Sequence, residues 1–300
     1  MTLMVTGGRG LVGSAIDADL KPTRDELDLM ELDSVVDFIN ENDITHIIHC
    51  AAKVGGIKAN MDHLGEFFFE NILLNTNLLE AAKRCKVEKV VSFMSTCVFP
   101  DDATYPLTPD QIHNGEPHRS NYAYAYAKRM LDVQSRAYRD QFGCNYVTVI
   151  PCNIYGPNDN FDLESSHVIP ALIRKCSEAV QNGTDFVIWG SGKASREFIY
   201  VDDVATICKW VLHNYNDSIP FIISPDEEIR ISSLAEEISS IMNFNGNIVY
   251  DQEYPDGQLK KPSDNSVLKE NMPEFRFTPI SEGLGKAIDW YVSEYKVPQS

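Results

Sequence analysis

By residue 7 the chain has left a short apolar run, Leu3-Met4-Val5, and entered the glycine-rich turn Thr6-Gly7-Gly8-Arg9-Gly10-Leu11-Val12-Gly13. The spacing Gly7-x-x-Gly10-x-x-Gly13 suits a backbone that turns tightly and approaches a pyrophosphate, whose charge the amide groups at the start of the next helix receive. Such turns also arise for purely structural reasons, and position decides between the two readings. Here the turn occupies the first strand–helix junction, and the chain keeps that rhythm. Apolar runs at residues 3–5, 44–49, 90–94 and 146–150 alternate with helical stretches at 12–20, 66–85 and 122–142. The alternation predicts an α/β fold, a Rossmann-type doubly wound parallel sheet with crossover helices.

After Pro151 the pattern changes to a loop rich in Asn, Pro and Gly, then a helix near 168–182 and a strand near 186–189. Amphipathic helices near 232–242 and 281–295, with a strand near 248–250, fill the C-terminal third. Residues 1–164 are therefore expected to form a dinucleotide-binding domain, rejoined by about 196–224 through a helix starting at Asp202-Asp203 and a buried strand at 221–223. Residues 165–195 and 225–300 are expected to form a smaller α/β substrate domain. The 66–85 helix carries two apolar stripes, Phe68-Ile72-Leu79 and Phe67-Leu74-Leu78. One satisfies the core; the other meets either a partner subunit or a second surface of its own chain. A homodimer is the expected assembly.

A formal net charge of -18 argues against a nucleic-acid surface, which needs a basic stripe. Any anionic ligand must then be held by local cations. The seven cysteines form an odd set with no Cys-x-x-Cys, indicating neither a disulfide framework nor a metal site. No apolar run approaches the roughly 20 residues of a membrane span, and the first residues leave no room for a signal peptide. A cytoplasmic protein is the expectation.

Chemistry concentrates in four places. Arg9 inside the glycine turn and Arg24 beyond it are placed to meet a 2′-phosphate, favouring NADP(H), although Asp25, Glu26 and Asp28 keep NAD open. Tyr124 and Lys128, four apart, share a helix face, and a nearby ammonium favours tyrosinate, drawing the hydroxyl from its reference pKa of ~10 towards working pH. Ser95 and Cys97, two apart after an apolar strand, project to one side if the chain stays extended. His167 opens a helix, where the bland reading is a cap. Serine, tyrosine and lysine suffice to reduce a ketone; Cys97 and His167 add a base and an acid able to invert a carbon beside that ketone.

With these residues assembled, the chain resembles the GDP-L-fucose synthase (GDP-4-keto-6-deoxymannose 3,5-epimerase/4-reductase) family of the extended short-chain dehydrogenases/reductases. The resemblance runs from end to end. It is most specific at Ala51-Ala52-Lys53-Val54-Gly55-Gly56-Ile57, Ser95-Thr96-Cys97-Val98-Phe99-Pro100, Tyr124-Ala125-Tyr126-Ala127-Lys128-Arg129-Met130, Gly156-Pro157-Asn158-Asp159-Asn160-Phe161 and Ser166-His167-Val168-Ile169-Pro170. It implies Ser95, Tyr124 and Lys128 as the reductase triad, with Cys97 and His167 as epimerisation base and acid. It implies a cofactor site of Gly7, Gly8, Arg9, Gly10, Leu11, Val12, Gly13, Arg24, Ala51, Ala52, Lys128, Pro151, Asn153, Ile154 and His167. For the GDP-sugar it implies Asn153, Lys175, Trp189, Arg196 and Lys261, with Lys175 standing where some members carry arginine. The activity implied is conversion of GDP-4-keto-6-deoxy-D-mannose to GDP-L-fucose with NADPH. The rivals are another sugar-nucleotide epimerase, which Cys97 and His167 oppose, and a non-catalytic cofactor-binding subunit, which the presence of both Tyr124 and Lys128 opposes. The chain departs from the pattern in one place: only ten residues separate Gly13 from Arg24, too few for a full helix and return strand. The second strand is expected to be shortened or lost.

Overall fold

The computed structural model describes residues 1–254 and 258–297. In chain order its strands and helices are β1 (Leu3–Thr6), α1 (Leu11–Ala15), α2 (Leu32–Glu41), β2 (His46–His49), α3 (Ile57–Asp62), α4 (Leu64–Arg84), β3 (Lys89–Phe93), α5 (Tyr122–Phe142), β4 (Tyr146–Pro151) and β5 (Asn153–Tyr155). They continue with α6 (Val168–Asn182), β6 (Phe186–Trp189), β7 (Ser195–Tyr200), α7 (Val201–Asn214), β8 (Phe221–Ile223), β9 (Glu228–Arg230), α8 (Ile231–Ile241), β10 (Ile248–Asp251), α9 (Ser266–Asn271) and α10 (Ile280–Glu294).

The central sheet runs β1-β2-β3-β4-β8, every pairing parallel. Its strands are buried on both faces, which is why they read as continuous apolar runs instead of alternating ones. One face packs Met4, Ile47, Val90 and Ile150 against α2, α4 and α5; the other packs Val5, Ile48, Val91 and Val149 against α7. Each such side chain, fully removed from water, contributes roughly 1.5–3 kcal/mol. On α4 the stripe Phe67, Leu74, Leu78 is buried. The second stripe divides: Leu79 is fully buried, whereas Phe68 is 44% exposed and its neighbour Phe69 60%.

The expected helix over 12–20 is corrected by the structure. α1 ends at Ala15, and Leu20 makes a single parallel bridge to Met4 at the outer edge of β1. Val5 N donates to Leu20 O at 2.9 Å and Leu20 N donates to Leu3 O at 3.1 Å. One residue thus stands for the second strand, because a five-residue helix leaves chain enough only to touch the sheet edge and turn away.

Beyond β4 the chain builds two small sheets, β5-β7-β9 and β10-β6. With α6, α8 and α10 they enclose a separate apolar cluster that includes Phe161, Ile173, Phe186 and Leu284. Among the described residues, no helix is long and apolar enough to cross a membrane. What matters for function is the carboxyl edge of the central sheet: the glycine turn follows β1, Ala51 and Ala52 follow β2, Ser95 and Cys97 follow β3, and Asn153 follows β4. In open α/β sheets ligands bind along that edge.

Candidate active site

The glycine turn is closed by Gly10 N donating to Gly7 O at 3.0 Å. A Cβ at Gly13 would stand 2.2 Å from Gly7 O, so the first turn of α1 lies against the loop as no side chain would allow. Leu11 and Val12 open α1 half-buried. Beneath the turn, Ala51 N donates to Thr6 Oγ1 at 3.2 Å, Thr6 Oγ1 lies 2.7 Å from His49 Nδ1, and His49 Nε2 lies 2.9 Å from Asn75 Oδ1. Burial pushes the His49 pKa down to about 3, so the ring is neutral. Its one proton goes to the Asn75 carbonyl oxygen, and Nδ1 accepts from the Thr6 hydroxyl. This relay locks the loops after β1 and β2 to α4.

Arg9 is exposed and close enough to Glu26 to lower that carboxyl's pKa, although the hydrogen bonds from Thr23 matter more. Arg24 is exposed. The cation packed against Gly8 is Lys21, whose Nζ donates to Ser14 O at 3.0 Å. With the second strand truncated, the chain leaves the sheet edge at Leu20, lays the Lys21 stem on Gly8 and turns over Thr23–Leu27, the segment that holds Arg24.

Ser95 and Cys97 end up adjacent, for a reason other than strand alternation. The chain tightens into a 3₁₀ turn at Thr96–Val98, with Cys97 N donating to Ser95 Oγ at 3.4 Å and Val98 N to Ser95 O at 3.0 Å. Burial raises the Cys97 thiol pKa, while the Ser95 hydroxyl, Lys261 and Lys128 pull it back. Lys128 is 1% exposed; burial lowers its ammonium to about 8, and Nζ donates to Phe93 O at 2.9 Å. Tyr124 and Lys128 share a face of α5 as their spacing predicts, yet Nζ lies 5.8 Å from the centroid of the tyrosine ring and is committed to Phe93. The expected lowering of the tyrosine pKa is corrected: burial raises the hydroxyl well above its usual value, and the Cys97 thiol raises it further.

His167 stands immediately before α6, in extended conformation and with no side-chain capping bond, so it is not a simple helix cap. It reaches solvent, yet its surroundings desolvate the ring enough to lower the imidazole pKa. Pro151 ends β4 and pairs with Ile223; Ile154 is half-buried beside it, and Asn153 Nδ2 donates to Glu197 O at 2.8 Å. Arg196 and Lys261 both have pKa values lowered by burial; Arg196 senses Tyr105 and Glu228, and Lys261 senses Cys97, Arg196 and Asp101. Lys175 Nζ lies 3.9 Å from the centre of the half-exposed Trp189 ring. Burial lowers Lys175 to about 8. The triad positions, Cys97, Lys261 and Arg196 thus form one electrostatic neighbourhood. Lys175 and Trp189 form a second.

Three residues escaped the sequence reading. Arg129, next to Lys128, is 3% exposed; Nε donates to Val98 O at 2.6 Å and Nη1 to Gly115 O at 2.8 Å. Tyr254 stacks on Trp189 at 4.2 Å with 9° between the rings. Lys21 is the third. Only Arg129 lay inside a stretch already singled out; contact of the other two depends on how the loops close.

A parallel sheet opened by a glycine turn, with serine, tyrosine and lysine gathered near its carboxyl edge, is the arrangement of a dinucleotide-dependent enzyme. The NAD dependent epimerase/dehydratase family matches residues 3–223, and the chain belongs to it. A GDP-L-fucose synthase of Dictyostelium discoideum is 43% identical, covering 98% of this chain and 96% of its own. A probable GDP-L-fucose synthase of Drosophila melanogaster is 41% identical, with 98% of each chain covered. Among solved structures, a GDP-L-fucose synthetase from Naegleria fowleri bound to NADP superimposes with a TM-score of 0.94 at 38% identity, covering 100% of this chain and 95% of that one. Within its broad family the chain is thus a member of the GDP-L-fucose synthase family.

Proposed function

We propose that this protein converts GDP-4-keto-6-deoxy-D-mannose to GDP-L-fucose by inverting C3 and C5 and then reducing C4. The observation that carries the reading is the Cys97 thiol within electrostatic range of Tyr124 and Lys128, beside Ser95. A reductase alone has no use for that thiol. The C4 ketone acidifies the hydrogens at C3 and C5. Cys97, as thiolate, takes one, and His167 returns a proton to the opposite face. Burial disfavours both the Cys97 thiolate and the His167 imidazolium at rest. A proton passed from Cys97 to His167 through solvent makes both at once, Lys261 and Lys128 favour the thiolate, and each inversion returns the thiol and the neutral imidazole. Ser95 then hydrogen-bonds the C4 oxygen and Tyr124 protonates it.

NADPH supplies the hydride when bound. The residues present fit it: the backbone of Gly7 to Gly13 leaves a cradle that a Cβ would fill, and Arg9 and Lys21 bring positive charge to the turn. Lys128 holds the cofactor ribose, with Ala51, Ala52, Pro151, Asn153 and Ile154 along the carboxyl edge. For the GDP-sugar, Lys175, Arg196 and Lys261 are the cations and Trp189 is the exposed ring. Residues 1–164 with about 196–224 act as the cofactor domain, and 165–195 with 225–300 as the substrate domain. The exposed Phe68 and Phe69 on α4 support a homodimer through that helix. Seven free thiols support a cytoplasmic setting.

Incubation with GDP-4-keto-6-deoxymannose and NADPH in deuterated water tests the reading. GDP-L-fucose carrying deuterium at C3 and C5 is expected. A reduced sugar without that label would make the protein a simple ketone reductase.

A further inference from the structure

The stretch that follows β2 is pinned on one side of the site and reaches across to the other. Lys53 N donates to Asn71 Oδ1 at 3.1 Å and Asn71 Nδ2 donates back to Lys53 O at 3.0 Å, while Lys53 Nζ pairs with Glu66 at 2.9 Å and Glu70 at 2.6 Å. Phe67 packs against Gly55 and meets Tyr124 edge-on, 6.4 Å between centroids. Asn60, 5% exposed, donates through Nδ2 to Gly55 O at 2.8 Å and to Gly56 O at 3.1 Å. With its carbonyl held, the Gly56 N–H points outward and donates to Ser165 O at 2.8 Å, two residues before His167.

Gly56 has φ −62° and ψ 178°, a conformation open to any residue, so backbone freedom does not explain the glycine. Distance does: a Cβ there would stand 3.0 Å from Ser166 O and 3.4 Å from Ser165 O. His167 itself has no side-chain capping bond. We propose that Gly56 is a positioning residue for His167, and that the strap from Lys53 to Asn60 sets the distance between the imidazole and the Cys97–Tyr124 side of the site.

The inference rests on the epimerase reading of His167. Proton return to C3 or C5 forms a C–H bond from the imidazolium and consumes the enolate's electron pair, with no net redox change. It needs the ring at the correct face, and a misplacement of about 1 Å costs on the order of 10²-fold. Hydride transfer at C4 uses Ser95, Tyr124 and Lys128, which the strap meets indirectly, through Phe67 edge-on to Tyr124.

Gly56→Ala is therefore expected to lower solvent-deuterium incorporation at C3 and C5 by tenfold or more. Oxidation of GDP-L-fucose by NADP+, read as NADPH formation, stays within about twofold, as does NADPH affinity. Asn60→Ala, which frees the strap without adding bulk, should shift exchange in the same direction by less. In a His167→Ala background Gly56→Ala should cost nothing further, because the residue it positions is gone. Equal losses in exchange and oxidation, unchanged exchange, or additive losses in the double variant would each overturn the inference. A wild-type enzyme that exchanges neither hydrogen would instead overturn the function on which it rests.

Discussion

Arg129 Nε donates to the carbonyl of Val98 at 2.6 Å, tying the turn that carries Cys97 to the helix that carries Tyr124 and Lys128. The guanidinium is 3% exposed and also holds Gly115 O. Replacing it with Met keeps the apolar stem but leaves two carbonyls without their donor, each costing about 1–3 kcal/mol. Arg129→Met should lower unfolding stability by about 2–6 kcal/mol and slow C3/C5 exchange more than it weakens NADPH binding. A denaturant titration with unchanged midpoint would show that the arginine is dispensable.

Cys97→Ser should abolish exchange while preserving the fold and NADPH affinity, because a hydroxyl is far less acidic than a thiol of reference pKa about 8.5–9. In the wild type, exchange should be greatest between the lowered imidazole and the raised thiol pKa values, falling on the acid side as Cys97 holds its proton and on the alkaline side as His167 loses its own. Mass spectrometry of sugar quenched across that range reads both effects. Persistent exchange in the serine variant would remove Cys97 from the mechanism.

Tyr124→Phe should do the reverse, sparing exchange and slowing hydride transfer by 10²–10⁴, on the order of a general-acid contribution. Burial raises this hydroxyl's pKa and so favours its protonated form, the proton donor. Stopped-flow NADPH oxidation on pre-epimerised ketone isolates the step. Reduction at the wild-type rate would break the triad assignment.

Cofactor choice depends on cations at the glycine turn. A charge-assisted bond to a 2′-phosphate contributes roughly 1.5–3 kcal/mol, about ten- to a hundredfold in affinity. NADPH should bind at least tenfold more tightly than NADH, and Arg9→Ala should shrink that gap. Arg24→Ala should matter less, because that side chain is exposed outside the glycine turn, whereas Arg9 stands within it and the Lys21 stem packs on Gly8. Fluorescence titration of both nucleotides decides it; equal wild-type affinities would leave all three as surface charge.

Asp159 is 9% exposed, its Oδ2 has no hydrogen-bond partner, and burial raises its pKa from 3.8 to about 7 against the single bond from Asn160 N. Between those values the folded chain keeps a proton that the unfolded chain has lost, so stability falls as pH rises through the window. Glu197, also raised to about 7 by burial, adds to the trend. Asp159→Asn should stabilise the protein by on the order of 1–3 kcal/mol at about pH 8, and by progressively less towards about pH 5. Thermal unfolding at both pH values measures it, and a gain independent of pH would dissociate it from the buried carboxyl.

Local pattern was enough to read the fold class, the glycine turn, the exact span of α5 from Tyr122 to Phe142 and of α6 from Val168 to Asn182, and the residue types at the site. Apolar periodicity and helix spacing are properties of neighbouring residues, so they survive without tertiary information. Spacing also placed Tyr124 and Lys128 on one face, because 3.6 residues per turn requires it. It misjudged their electrostatics, since desolvation depends on what covers a side chain: Lys128 is buried and donates to Phe93 O, and the half-buried Tyr124 is desolvated beside Cys97. The same limit explains α1, whose early end becomes legible only when Leu20 is seen against Met4. Short strands such as β5 and β9 are held by pairing with β7, a distant segment, and carry little signal of their own. The sequence alone determined which chemistry-bearing residues the chain possesses and the order in which they leave the sheet. Only the tertiary structure decided which of them share an environment, because Arg129 at Val98, Lys21 at Gly8 and Gly56 at Ser165 are contacts between loops that no local rule brings together.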